Sequence, residues 1–303
     1  MWPDILILAH RHDRLFDAPL DSERGFTGGD ASEQRYTIYA LANLWRQLGL
    51  NVRVKRGASP FSTARAGVAI NHVSLTLTPA PYLNYLRRFP IVLNRDFTDT
   101  SKSKYCRGLL SPEDSYDGPV IVKTDLNFGG KIEHKLQKQK QRSFPLRYLR
   151  LLRRPMAGAS THMDPLAYPI LDHPSRVPNE TWGNPYLIVQ KFQPERDDAG
   201  LYRLRSWYVF GDRGFHVLAL GKEPIVKGGN MVRREVIDIN TLPEMEVLRK
   251  QMRVDYGRFD YALVDGKAVV YDINRTPTIT AASETQYASQ LRDLAQGIVT
   301  FLS

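Results

Sequence analysis

The sequence contains almost no cysteine and no long apolar run. Cys106 is the single cysteine among 303 residues, which excludes an intrachain disulfide and a cysteine-based metal cluster. No stretch approaches the ~18 apolar residues that a membrane-spanning helix requires. The apolar run Ile5 to Leu8 is too short for the hydrophobic region of a secretory signal. These absences predict a soluble, cytoplasmic protein without membrane association.

The basic charge of the chain is concentrated in one segment. The formal net charge is +10, and residues 131–154 contain nine Lys or Arg and one Glu, a net +8. The remainder is nearly balanced, so nucleic acid is not the expected partner. Pro145 predicts the start of a helix inside this segment. Three interpretations stay open: a solvated helix face, attraction of an acidic substrate or partner, or contact with nucleic acid or a membrane surface.

Hydrophobic periodicity predicts an α/β unit at the start of the chain. A buried strand at Ile5 to Leu8 is followed by a helix at 32–48 and a second strand at 51–54. The composition becomes polar around 94–103, which places the end of this unit near residue 98. Further along, the pattern predicts strands at 118–125 and 185–192, a hairpin over 202–220 that turns at 211–214, and a final helix over 284–302.

The stretch "GRFDYALVDGKAVVYDINRTP", residues 257–277, predicts a hairpin with an acid in each strand, Asp260 and Asp272. A two-residue turn at Asp265-Gly266 would put the acids on opposite faces. A three-residue loop, in which Leu263 faces Lys267, would put them on the same face. Register follows burial, and only the three-residue loop separates polar from apolar side chains. We therefore expect a polar face of Arg258, Asp260, Asp272 and Asn274, and an apolar face of Phe259, Tyr261, Leu263, Val269, Tyr271 and Ile273.

The carboxylate and amide oxygens of Asp260, Asp272 and Asn274 are suitable ligands for Mg²⁺. Two carboxylates on one face repel each other unless a cation separates them. The alternative is that these acids are solvated charges on an edge strand.

On the basis of the residues of this hairpin, the chain resembles the ATP-grasp superfamily, and the resemblance covers roughly residues 98–280. Its members end in a hairpin with an acid on the first strand and an acid, any residue and Asn on the second, as in "GRFD" and "YDIN" here. The second-strand acid is usually Glu, where this chain has Asp272. The resemblance implies mixed α/β and α+β architecture in three parts. These are an N-terminal α/β domain (1–98), a central lid subdomain (99–190) with the basic insertion 131–154, and a C-terminal antiparallel-sheet domain (191–303).

The resemblance also implies the nucleotide-binding residues. "GPVIVKTDLNFGGK" resembles the strand that carries a phosphate-binding lysine, here Lys123, and the loop that closes over the phosphates. "TSKSKYC" resembles the segment with a second such lysine, which is Lys102 or, failing that, Lys104. "LIVQKFQPERD" resembles the adenine-binding hinge, in which Gln190 replaces the usual Glu. The implied ATP contacts are Lys102, Lys123, Asn127, Gly129, Gly130, Gln190, Lys191, Phe192, Gln193 and, for the ribose, Glu195 or Asp197.

The same resemblance implies the metal and catalytic groups. Asp260, Asp272 and Asn274 would hold Mg²⁺, and Arg258 would stabilise the transferring group. Arg205 is the preferred additional ligand for phosphate or a substrate carboxylate. Arg203, Arg233 and Arg234 are further candidates for that role.

The implied function is an ATP- and Mg²⁺-dependent ligase. Such an enzyme activates a substrate carboxylate, of a small molecule or a peptide, as an acyl phosphate. An amine or another nucleophile then attacks it, which makes the expected enzyme class a carboxylate–amine ligase. Two alternatives are a small-molecule kinase on the same scaffold and a nucleotide-binding protein without turnover. Thr278 stands where many ligases of the family have Gly, so peptide-ligase specificity is not carried over to this chain.

Overall fold

The computed structural model describes residues 4–13, 34–142, 163–164 and 167–302, and describes no side chains within 137–142. The helix expected to begin at Pro145 lies outside the described residues. In chain order the strands are β1 Ile5–Ala9, β2 Gln34–Tyr36, β3 Val52–Arg56, β4 Val68–His72, β5 Ile91–Leu93, β6 Leu109–Leu110, β7 Val120–Thr124, β8 Ile170–Leu171, β9 Leu187–Lys191, β10 Glu195–Arg196, β11 Tyr202–Phe210, β12 Arg213–Gly221, β13 Met231–Ile237, β14 Tyr256–Val264, β15 Lys267–Asn274 and β16 Thr278–Thr280. The helices are α1 Thr37–Gln47, α2 Ala80–Leu86, α3 Lys131–Arg142, α4 Asn179–Trp182, α5 Pro243–Met252, α6 Ala281–Gln286 and α7 Ala288–Gln296.

A four-stranded parallel sheet, in the order β3-β1-β4-β5, forms the first part of the chain. Every residue of β1 and β4 is buried. Ile5 and Ile7 pack in a core that includes α1, whereas Leu6 and Leu8 pack in a second core with α2. Burial on both faces explains the continuous apolar run of β1. The predicted strand, helix and strand are confirmed, except that residues 34–36 of the predicted helix form β2.

The large sheet is antiparallel, in the order β13-β12-β11-β14-β15, with β10 paired to β11. Side chains of β11 alternate between two cores. Tyr208 and Phe210 face a core shared with α1 and α7, and Trp207 and Val209 face a core shared with α5. The hairpin predicted over 202–220 is confirmed and turns at Gly211 and Asp212.

A smaller antiparallel sheet, in the order β6-β9-β7-β8, has a compact core that includes Val120, Val122 and Val189. Because side chains alternate along β7, Lys123 points away from this core. The predicted strands at 118–125 and 185–192 are confirmed as β7 and β9.

Buried Arg275 connects the end of β15 to the parallel sheet. Its guanidinium donates to the carbonyl oxygens of Val73, Leu75 and Phe97 at 2.6–3.2 Å. Burial lowers the pKa of Arg275 to about 10. These bonds fix the chain that follows Asn274 against the loop between β4 and α2.

The C-terminal segment is not the single helix that the sequence predicts over 284–302. It divides into α6, α7 and a 3₁₀ turn at Gly297–Phe301. None of the helices in the described ranges is long and apolar enough to cross a membrane. The domain boundaries after residues 98 and 190 stay predictions.

Candidate active site

The turn between β14 and β15 differs from the sequence prediction. Val264 pairs with Lys267, so the turn is the two-residue Asp265-Gly266 and not a three-residue loop. Both turn residues have positive φ, 51° and 75°, as a type I′ turn requires. The predicted pairing of Leu263 with Lys267 is therefore wrong.

A β-bulge nevertheless brings the two acids together. The register shifts between Asp260 and Tyr261, with Tyr271 as the extra residue, so that Asp260 pairs with Asp272 and Arg258 with Asn274. The predicted common face for these four residues is confirmed. The predicted apolar face is wrong in part, because Ala268 and Val270 pack in the core where Val269 and Tyr271 were expected.

Asp260 is held by two neighbouring side chains. Its carboxylate accepts a hydrogen bond from Arg258 at 2.7 Å and another from Ser206 Oγ at 2.6 Å. Burial alone would lower the pKa of Arg258, but the Asp260 carboxylate and Tyr208 raise it overall. The charged form of Arg258 is therefore favoured beside Asp260.

Asp272 lies in a strongly cationic environment. Lys102 Nζ lies 3.3 Å from its Oδ1, and Tyr105 donates to the same oxygen at 3.3 Å. Burial by itself would raise the pKa of Asp272, but the charges of Lys102, Arg258, Lys227 and Lys123 lower it overall. The carboxylate is therefore ionised at neutral pH and available to a cation.

Asn274 and Lys123 complete the predicted group. Asn274 Oδ1 accepts the backbone N–H of Thr276 at 2.9 Å, which fixes the amide at the end of β15. Lys123 is buried and donates to the carbonyl oxygen of Tyr271 at 3.4 Å. Burial is the main cause that lowers the pKa of Lys123. The structure thus places Lys123 beside the bulge that aligns the two acids.

Lys227 is a further cation near the acids that sequence reasoning missed. It lies on the loop between β12 and β13, and its charge interacts with those of Asp260 and Asp272. Asn230 closes this loop by donating its N–H to the Lys227 carbonyl at 2.9 Å. Four cationic side chains act on Asp272, those of Lys102, Arg258, Lys227 and Lys123. This concentration of positive charge suits a polyanion such as a polyphosphate.

The predicted phosphate loop has an unusual backbone. Phe128, Gly129 and Gly130 adopt consecutive positive φ values of 45°, 65° and 70°. Glycine adopts this conformation without steric cost, and its backbone N–H groups can approach an anion closely. The loop follows β7 directly, so it begins near Lys123. This geometry is compatible with the phosphate contacts that the resemblance implies for Asn127, Gly129 and Gly130.

Hydrogen bonds tie this loop to the parallel sheet. The Asn127 N–H donates to Thr76 Oγ1 at 2.9 Å, and that hydroxyl donates to Glu133 Oε1 at 2.7 Å. The Thr76 N–H donates to the same Glu133 oxygen at 2.8 Å. Thr76 therefore joins the loop and the first turn of α3 to the segment after β4.

The predicted hinge lies at the end of β9. Gln190 is buried, and its Oε1 has no hydrogen-bond partner among the described residues, while its Nε2 donates to the Arg107 carbonyl at 2.8 Å. An acceptor without a partner fits an adenine amino group. The N–H groups of Lys191 and Phe192 already donate to the carbonyls of Gly108 and Pro119. They are therefore not donors to a nucleotide in this conformation.

The other expected hinge contacts are partly engaged within the chain. The Gln193 carbonyl accepts the hydroxyl of Tyr271 at 2.7 Å. Asp197 accepts the N–H groups of Ala199 and Leu201 at 3.0 and 2.9 Å, which stabilises a turn.

The structure also separates the two candidates for the second phosphate-binding lysine. Lys104 is exposed, whereas Lys102 is buried beside Asp272, which favours Lys102 for this role.

The structure does not bring Arg205 to the acids. Arg205 pairs with Tyr261, and the neighbouring Ser206 pairs with Asp260, so Arg205 lies on the opposite face of the sheet. There it forms a direct ion pair with Glu195, which also accepts the Leu263 N–H at 2.8 Å. The prediction that Arg205 lies with the acids as a catalytic residue is therefore wrong. Glu195, which was predicted as a ribose ligand, is the acid of this ion pair.

The donor set fits Mg²⁺ by its chemistry. Two carboxylates and one amide oxygen, from Asp260, Asp272 and Asn274, share one face. Mg²⁺ typically takes one or two protein carboxylates and completes its coordination with water and phosphate oxygens. Among the described residues, no group of three or more His, Cys, Asp or Glu lies together. The acid pair thus offers the number of carboxylates typical of a nucleotide-bound magnesium ion.

Searches with the sequence found no matching family model and no matching curated protein. Solved structures do match. The macrocyclase MdnC, bound with precursor peptide MdnA from Microcystis aeruginosa MRC, is similar with a TM-score of 0.52 and 10% identity, over 98% of this chain and 99% of that chain. The ATP-grasp ligase PsnB, complexed with a minimal precursor, is similar with a TM-score of 0.50 and 11% identity, over 97% and 99% of the two chains.

These matches define the fold. The chain has the ATP-grasp fold over nearly its whole length, as the resemblance in its sequence implied. At 10–11% identity, the similarity establishes the fold alone. The assignment of an activity depends on the side chains described above.

Proposed function

We propose that the protein is an ATP- and Mg²⁺-dependent ligase that activates a carboxylate for attack by an amine or another nucleophile. The observation that carries the proposal is the convergence of Lys102, Lys123 and Arg258 on the pair of Asp260 and Asp272. An ATP-grasp fold with acids and cations at this place is suited to phosphoryl transfer, in which positioning and charge neutralisation dominate catalysis.

In the proposed reaction, the γ-phosphoryl group of ATP is transferred to a carboxylate oxygen of the first substrate, which gives an acyl phosphate and ADP. The amine of the second substrate attacks the acyl carbon, loses a proton and displaces inorganic phosphate to form an amide. Lys102 and Lys123 neutralise phosphate charge, and the loop at 127–130 covers the phosphates. Arg258 stabilises negative charge that develops on the transferring group or on the tetrahedral carbon.

Asp260, Asp272 and Asn274 would hold magnesium. When bound, Mg²⁺ would neutralise phosphate charge and orient the phosphate oxygens. The residues around the acids have separate tasks. Ser206 and Arg258 orient the Asp260 carboxylate, and Lys102 and Tyr105 orient that of Asp272.

The proposal is tested by replacing Asp272 with Asn and measuring ADP formation against Mg²⁺ concentration, over a panel of carboxylates and amines. We expect turnover to fall at least about a hundredfold, because Asn lacks the negative charge with which Asp272 would hold the Mg²⁺ that neutralises the phosphates. Asp265→Asn is the matched control. It makes the same chemical change in the same hairpin, at a turn position that accepts Asn.

Product analysis completes the test. An amide product with ADP and phosphate supports the ligase, whereas a stable phosphoester indicates a kinase. ATP binding without ADP release across the panel indicates a nucleotide-binding protein without turnover. Unchanged turnover in Asp272→Asn removes the metal-binding role of that residue.

A further inference from the structure

Next to Arg258, the large sheet has a second polar region around Arg234 and Tyr287, two residues to which the proposed phosphoryl transfer gives no role. Two buried polar atoms there, Nε of Arg234 and Nε of Arg258, have no hydrogen-bond partner within bonding distance among the described residues. The charges of Arg234 and Arg258 both act on the Tyr287 hydroxyl, so these groups lie near one another. Unpaired buried polar atoms are costly, and their concentration in one place indicates a binding region for a polar ligand.

Strand pairing places Arg234, and not Arg233, on the same face as the acids. Arg234 pairs with Ala219, which pairs with Leu204 on β11. Leu204 lies two residues from Ser206, the partner of Asp260, so all of these side chains share one face. Arg233 points to the other face, where it is exposed and contacts Glu235. The structure thereby distinguishes two neighbouring arginines that the sequence leaves equivalent.

Arg234 is also the arginine of this region without an acidic partner in the described ranges. Arg258 is neutralised by Asp260 at 2.7 Å, and Arg35 contacts Glu284 at 3.7 Å. Arg234 instead lies 3.5 Å from Ser283 Oγ and 5.8 Å from the centre of the Tyr287 ring. A half-buried cation without a counter-ion loses hydration without the compensation of an ion pair. Such a site favours an anionic ligand.

The position of Arg234 separates this anion from the nucleotide. Arg234 lies on β13 and Asp260 on β14, which are three strand positions apart. At ~4.8 Å per strand, their backbones are about 14 Å apart. Lys102 and Lys123 contact residues of β15, on the far side of β14 from β13. Phosphates held by these two lysines would therefore lie away from Arg234. An anion at Arg234 therefore belongs to a different molecule or a different group.

From these observations we infer that Arg234 binds a carboxylate of the substrate, distinct from the carboxylate that is phosphorylated. The inference rests on the proposed function and specifies its substrate class: one of the two reactants carries an additional carboxylate. That group is either the free α-carboxylate of an amino-acid acceptor or a second carboxylate of the donor. Arg234 thereby acts as a specificity-determining residue, and the Tyr287 ring supports its guanidinium.

The test is calorimetric binding in the presence of ADP and Mg²⁺. The probes are the free L- and D-amino acids, short dicarboxylates, and the corresponding amino-acid amides and monoamides. For wild-type protein we expect at least one free acid to bind about tenfold or more tightly than its amide, as expected for a charge-assisted bond to arginine. In Arg234→Gln that ratio should fall to about one, with unchanged ADP affinity. Arg234→Lys should restore part of the ratio, and Arg233→Gln is the matched control.

Each outcome is decisive. Loss of discrimination with amino acids assigns the carboxylate to the acceptor, and loss with dicarboxylates assigns it to the donor. An unchanged ratio in Arg234→Gln overturns the inference, as does the absence of any binding carboxylate in the wild type. If Arg234 has only a packing role on Tyr287, its replacement lowers the urea midpoint and leaves the ratio unchanged. Failure of the proposed function is seen separately, as a wild type that forms no ADP, or that forms a stable phosphoester in place of an amide, over the panel of carboxylates and amines.

Discussion

Replacing Tyr105 with Phe should raise the Mg²⁺ concentration that ADP formation requires, while the protein remains folded. The Tyr105 hydroxyl is buried, accepts the N–H of Ile273 at 3.0 Å and donates to Asp272 at 3.3 Å. It therefore fixes both the backbone of β15 and the carboxylate that the strand carries. The substitution removes one oxygen atom and retains the aromatic ring that packs in the core.

The structure sets the size of the two effects. The Ile273 N–H would remain buried without an acceptor, which costs about 1–3 kcal/mol of unfolding free energy. Asp272 would keep Lys102 as a partner but would lose a hydrogen bond that restrains its carboxylate. We expect the Mg²⁺ concentration at half-maximal ADP formation to rise about three- to tenfold, which corresponds to ~0.7–1.4 kcal/mol.

Urea unfolding and magnesium titration of ADP formation measure these effects. Tyr82→Phe is the matched control, because the Tyr82 hydroxyl also accepts a backbone N–H, that of Arg11 at 3.0 Å, but does not contact the acids. Both variants should lose stability, and only Tyr105→Phe should alter the magnesium response. An equal magnesium midpoint in the two variants refutes the positioning role of Tyr105.

Three further predictions concern the phosphate loop and the acid pair. Thr76→Val removes the acceptor of the Asn127 N–H and should weaken ATP binding by about tenfold in calorimetry. Equal ATP affinity of the variant and the wild type would contradict a role of this hydrogen bond in positioning the loop. Gly129→Ala adds a side chain at a φ of 65°, which costs about 1–2 kcal/mol and should raise the KM for ATP in steady-state assays. The folded pKa of Asp272 is lowered, chiefly by Lys102 and Arg258 acting against the effect of burial. The contribution of Asp272 to the free energy of unfolding is fully present above the unfolded pKa of ~3.9 and is lost as pH falls through the lower folded pKa. Asp272→Asn should therefore flatten the pH dependence of the free energy of unfolding, measured in urea, below about pH 4.

The sequence predicted the common face of the two acids correctly but for an incomplete reason. Burial required one face to be polar, and that constraint holds in the structure. The predicted hairpin satisfies it with a longer turn, whereas the structure satisfies it with a bulge within the strands. Asp265-Gly266 forms the short turn that its residues favour, and the bulge at Tyr271 brings the two acids back to a common face. A local pattern of apolar residues carries no signal that locates such a bulge.

Long-range pairing limited the assignment of the other site residues. Arg203 and Arg205 alternate with Ser206 and Tyr208 along β11, and the alternation alone cannot tell which set faces the acids. The packing of β11 against β14 decides this, and it selects Ser206. Lys227 was missed because its loop has no strand or helix periodicity. Its position before Gly228 and Gly229 gave a weak signal that the preceding residue borders a turn.

The central claim is that the acids of β14 and β15 and the lysines opposite them form one nucleotide site. A crystal structure of the protein with a non-hydrolysable ATP analogue and Mg²⁺ tests it most directly. The account predicts a metal ion coordinated by Asp260 and Asp272, with the phosphates against Lys102 and Lys123 and the adenine beside Gln190. A nucleotide bound elsewhere, or phosphates that leave both lysines without contact, would contradict it.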